Sequence, residues 1–150
     1  MIVMEQAAAC PDLCLTKFLI HMTAQAKESI KLLHFEHREW LNRFEFYKNE
    51  FSNYERLLGE VAVKNNSHDI TPQIEHFQNQ FVLQREKLDI LRHNVKQSEN
   101  AIEERMKDNA TAWEHQSMPA EAELRTKVLA FDEMFNELKS EFRTFLQKVL

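Results

Sequence analysis

IKLLHFEHREWLNRFEFYKNEFSNYERLLGEV, residues 30–61, places Ile30, Leu33, His37, Trp40, Phe44, Tyr47, Phe51, Tyr54, Leu58 and Val61 at intervals that alternate between three and four. Such spacing keeps one stripe on one side of an α-helix, and it is the a/d pattern of helices that pack along their length. Two further stretches repeat it. One runs from Ile74 through Phe77, Phe81, Gln84, Leu88, Leu91, Val95, Ser98, Ile102 and Arg105 to Asn109. The other runs from Leu124 through Val128, Phe131, Phe135, Leu138, Phe142 and Phe145 to Val149. The chain is therefore read as all-α, an antiparallel three-helix coiled-coil bundle with long helices.

The stripes also suggest a register. If the first two stretches fold back on each other, Val61 faces Ile74 and Ile30 faces Arg105, with every seam residue between them matched a to d. The same logic for the second and third faces Asn109 with Leu124 and Gln84 with Val149. Short loops suffice for both turns. This register puts Trp40, Phe44, Leu91, Val95, Leu138 and Phe142 in one buried cluster, and sets His37 opposite Ser98 and near Phe135 as a polar layer. It also leaves Tyr54, Leu58, Val61, Ile74, Phe77 and Phe81 without a third-helix partner. The hairpin tip is then expected to extend beyond helix three as a bare apolar segment, an interaction surface for a homodimer or a protein partner. Leu32, Phe35 and Phe46 fall off the stripe, on the outer side of the first helix, and form a second candidate interaction surface.

Helix ends follow from local chemistry. Met22 to Ser29 contains neither glycine nor proline, so the first helix is expected from about Asp12 to Lys64, stopping at Asn65 or Asn66. Thr71 before Pro72 reads as an N-cap followed by N1, and the second helix is expected to reach about Trp113. Ser117, Met118 and Pro119 read as the start of the third. Residues 1–21 differ in composition and are read as an N-terminal extension, a helical continuation or a tail, attached to a bundle over 22–150. Met22 stands as an alternative translation start.

Composition narrows the function classes. A single glycine, Gly59, and three prolines among 150 residues leave no glycine-rich phosphate loop. The 19 basic residues are interleaved with 24 acidic ones, giving a net charge of -5 with no basic stripe for nucleic acid. Cys10 and Cys14 are too few for a disulfide framework, which favours a reducing compartment and a cytoplasmic location. No run approaches the ~20 apolar residues of a membrane span.

None of the seven histidines has a glutamate three residues before it or a histidine four after it, so the helical di-iron and zinc motifs are absent. His34 and His37, three apart, are the near miss. The favoured reading is thus a non-enzymatic helical interaction or scaffold protein with no catalytic residue, no cofactor and no metal. The alternative is a metal or small-ligand carrier using the His34/His37 region.

Two segments carry a resemblance. FEHREWL at 35–41, continuing to FYK at 46–48, and IEHFQNQF at 74–81 resemble an uncharacterised family of small bacterial all-helical proteins. The likeness covers most of residues 30–150 and leaves the N-terminal 21 unmatched. It implies a bacterial, cytosolic, all-helical protein with no assigned activity.

Overall fold

The computed structural model describes residues 11–65, 67–108 and 110–150, with side chains described for 28–65, 67–104, 107 and 119–150. Among the described residues there are three helices, α1 (Pro11–Lys64), α2 (Thr71–Asp108) and α3 (Ala110–Val149), and no strand. None is long and apolar enough to cross a membrane. Residues 11–21 belong to α1 and continue it as helix. Residues 1–10 of the expected extension lie outside the described residues, as does the Cys14 side chain.

α1 ends where asparagine can satisfy its last carbonyls. The Asn65 N–H and its Nδ2 both donate to the Val61 carbonyl, at 3.0 and 3.1 Å. The turn is then closed on Ser67, whose carbonyl accepts from the backbone N–H groups of Ile70 (3.1 Å) and Thr71 (3.2 Å). The first helical bonds of α2 go to the Ile70 carbonyl, so Thr71 is already inside the helix. Its hydroxyl donates back to the Ser67 carbonyl at 3.2 Å instead of capping the residues ahead.

The three stripes form the core. Phe44, Phe51, Phe81, Phe135 and Phe142 are all buried, and one cluster extends from Trp40 to Val61 on α1, Ile74 to Val95 on α2, and Leu124 to Phe145 on α3. A smaller cluster of Ile30 and Ile102, with Leu33 against it, fills the other end. Between α1 and α2, Phe51 and Tyr54 pack on Phe81 with ring centroids 6.1 and 5.8 Å apart, while His34 and His37 reach Glu99. Numbers rise along α1 as they fall along α2, in the pairing read from the sequence. The Ile30–Arg105 end of that pairing involves a side chain outside the described residues.

The pairing of α2 with α3 is different. Phe77 packs on Phe142 and Phe145, at 5.2 and 5.1 Å, and Ser98 meets Glu121. The expected partner of Ser98 was Phe135, two heptads further along. Phe135 instead lies against Tyr47, Phe51 and Tyr54. A heptad stripe specifies its partner only to within a multiple of seven residues, and sliding by whole heptads preserves every a-to-d match. What separates the registers is aromatic burial at one end and charge pairing at the other.

Three expectations are corrected as a result. The hairpin tip is not bare: Tyr54, Leu58, Val61, Ile74, Phe77 and Phe81 are buried within the single chain, and Phe142 covers Tyr54, Phe77 and Phe81. They offer no surface to a partner. The second helix stops at Asp108 and the third begins at Ala110, so Pro119 lies inside α3 on its exposed side, where its missing N–H removes one helical bond. Trp40, Phe44, Leu91, Val95, Leu138 and Phe142 do share the main core, but Phe142 sits at its far end from Trp40.

Candidate functional site

His37 carries the polar chemistry of the bundle. It occupies a seam position on α1 and is 0% exposed. Its Nδ1 donates to Glu99 Oε2 on α2 at 2.7 Å, and its Nε2 donates to Glu121 Oε2 on α3 at 2.9 Å. A carboxylate only accepts, so an imidazole bonded through both nitrogens to two carboxylates is the imidazolium. One turn earlier, His34 places its own Nδ1 on the second oxygen of Glu99. The Ser98 hydroxyl completes the set by donating to Glu121 Oε1. All three helices are tied at this level.

Competing effects set the proton affinities. Burial pulls the His37 imidazole down, but hydrogen bonds to Glu121 and Glu99, together with their charges, outweigh it and hold the group above its ordinary value. Burial pushes Glu121 up, and the bonds from His37 and Ser98, with the charges of His37 and Arg125, outweigh it in turn and hold it below the usual carboxylate range. Trp40 lies beside His37 with ring centroids 5.3 Å apart and planes tilted by 39°.

Neither nitrogen of His37 is free while this layer is intact. Among the described residues no group of three histidine, cysteine or acidic side chains is placed to hold a metal ion.

Above the layer, a groove of about 670 Å³ opens between α1 and α3, with Trp40 and Glu121 in its lining and Leu32 and Phe35 beside them. Two ion pairs strap its sides together. Arg125 Nε donates to Glu36 Oε1 at 2.7 Å, with a second bond from Nη2 to the other oxygen. Further along, Arg43 pairs with Asp132, which also accepts from the Tyr47 hydroxyl at 2.7 Å. Leu32 and Phe35 are each 65% exposed. Phe46 is half exposed, and its ring leans edge-on against Phe135 at 6.5 Å, so it belongs partly to the core wall.

Of the surface residues read from the sequence, the structure brings Leu32 and Phe35 together at this groove and sets Phe46 apart from it. Glu99 and Glu121 escaped the sequence reading, which tested histidines against ligands on the same helix, whereas these carboxylates arrive from two others. A signal for Glu121 existed. It stands three residues before Leu124, the position that continues the α3 stripe, and a carboxylate in a seam requires a partner. Glu99 sits beside the seam and carried no comparable mark.

No protein-family model matches the chain, and neither does any curated protein or solved structure.

Proposed function

We propose that this chain is a non-enzymatic helical interaction protein, with the α1/α3 face around Leu32 and Phe35 receiving a protein partner or a second copy. The observation that carries this reading is the pair of large apolar side chains, each 65% exposed, beside a groove whose walls are strapped by Arg125–Glu36 and Arg43–Asp132. Apolar area held on a rigid helical face is recognised by burying it against a partner, commonly another amphipathic helix. The polar layer supports the reading from beneath. His37 spends both nitrogens on internal carboxylates, which suits fixing the helices and leaves neither nitrogen of that ring for acid–base work on a substrate.

The test compares the parent with a Leu32→Ser, Phe35→Ser double variant. Both side chains are outside the core, so the variant should melt at the parent's temperature. Size-exclusion light scattering and affinity capture from the source cells should show an associated species with the parent that is absent with the variant. Identical association profiles for the two proteins would remove this face from consideration.

A further inference from the structure

A second groove, of about 380 Å³, lies between α2 and α3, and Gln84 stands in its lining. Gln84 occupies a seam position and is 5% exposed. Its Nε2 donates to Gln80 Oε1 at 3.4 Å, but its Oε1 is buried with no hydrogen-bond partner. Buried polar atoms are ordinarily paired, and an orphaned acceptor on a side chain that lines a groove is satisfied by a donor that enters the groove and draws the amide toward it. The rest of the lining describes that visitor. Leu91, Phe131 and Met134 offer apolar contact, and Lys87 and Lys127 bring ammonium groups from the two helices. Lys127 shares its charge with Glu123 at 2.6 Å, in an exposed pair that is readily exchanged.

We propose that the α2/α3 groove binds a small amphipathic anion: an apolar or aromatic body on Leu91, Phe131 and Met134, a hydrogen-bond donor to Gln84 Oε1, and an acidic group held by Lys87 and Lys127. The volume falls within the range of small-ligand sites, which are mostly apolar with a few placed polar groups. The proposal stands independently of the α1/α3 interaction face, since the two grooves share no lining residue.

The probe is 8-anilinonaphthalene-1-sulfonate, which combines an anilino N–H, a sulfonate and fused aromatic rings. Titrated into the full chain, it should give a saturable, single-site rise in fluorescence. Gln84→Leu should weaken binding by about tenfold, the factor set by one hydrogen bond, while leaving the melting temperature equal or higher because the orphaned acceptor is gone. Lys87→Glu should weaken binding and remove part of its salt dependence. Ala130→Trp, which places a large ring in the groove from an exposed position, should abolish the signal without unfolding the protein.

Several outcomes overturn the proposal. One is Ala130→Trp binding the probe as the parent does, and another is a signal lost with Phe35→Ser but kept with Ala130→Trp, which moves the probe to the other groove. A third is a parent dimer that Ala130→Trp dissociates, which gives this face to a second copy of the chain. Non-saturable binding by the parent is the fourth.

Discussion

Phe142 meets Phe81 edge to face, with ring centroids 5.1 Å apart and planes at 89°. That contact distinguishes the observed register of α3 from the one the heptads first suggest. Two heptads away, Phe142 stands opposite Leu91 and Phe81 has no third-helix partner.

A double-mutant cycle on this pair measures the register directly. Phe81→Ala and Phe142→Ala should each cost ~3 to 5 kcal/mol of unfolding free energy, because each empties a fully buried site. Their coupling should be ~0.5 to 1.5 kcal/mol, the range of aromatic pairs in contact. Strict additivity in denaturant titrations would place the two rings apart. By the same logic, Leu58→Glu with Phe77→Glu should unfold the single chain, since both side chains are in its core.

The charged layer predicts a pH profile. His37 has its affinity for the proton raised on folding, so its contribution is complete below the ordinary imidazole value of 6.5 and is lost as pH rises through the higher folded value. Glu121 is shifted the other way. Its contribution is complete above the ordinary carboxylate value of 4.5 and is lost as pH falls through the depressed folded value. The groups involved are His34 and His37 on α1, Ser98 and Glu99 on α2, and Glu121 with its neighbour Arg125 on α3. Stability measured by urea titration should therefore be flat between the two ordinary values and decline on the alkaline side. In His37→Gln the protein should be less stable, and the alkaline decline should vanish. An unchanged alkaline slope in that variant would assign the titration to another group.

Tyr47 offers a smaller test. Its hydroxyl donates to Asp132, a partly buried carboxylate that also pairs with Arg43, and burial followed by that bond pushes the phenol well above its ordinary value. Tyr47→Phe keeps the ring packing against Phe131 and Phe135 and removes only the donor. A loss of ~1 to 2 kcal/mol is expected, because Arg43 still compensates the carboxylate. A thermal melt superimposable on the parent's would show that the bond contributes nothing net.

Gly59 predicts a gain. It lies in the helical interior of α1 on the exposed side, its φ is not positive, and a Cβ added there meets nothing within 4 Å. Gly59→Ala should stabilise the protein by ~0.5 to 1 kcal/mol through the reduced freedom of the unfolded chain. Failure of the melting temperature to rise would contradict the open surroundings of that position.

The helices, their lengths to within a few residues at the α1/α2 turn, and the facing of α1 with α2 were legible because periodicity and turn chemistry agree there. Asn65, Ser67 and Thr71 sit where two stripes end and begin. At the second turn those signals disagree. Ser117 and Pro119 look like a helix start, yet α3 already runs through them, because the register that buries Phe142 and pairs Glu121 moves the turn back to Asp108 and Ala110. The groove residues Leu32 and Phe35 were legible as apolar side chains off the stripe. The polar layer was only half legible: His37 and Ser98 lie in their seams, but the carboxylate joining His34 to His37 comes from a flanking position on another helix, and no spacing rule within one helix reaches it.

The repetition that builds this core also shapes the route by which it is reached. A hairpin of α1 and α2 can accept α3 at steps of seven residues, and a misplaced docking still buries most of the α3 phenylalanines while leaving rings such as Phe81 uncovered. Glu121 makes the wrong steps costly, since in any other step the buried His37 Nε2 and the Ser98 hydroxyl lose the carboxylate they share. A chain caught one or two steps out cannot slide into place with its side chains interlocked; α3 must lift off and dock again. Refolding should therefore divide into a fast population and a slower one that waits on detachment, and neutralising Glu121 should enlarge the slow fraction.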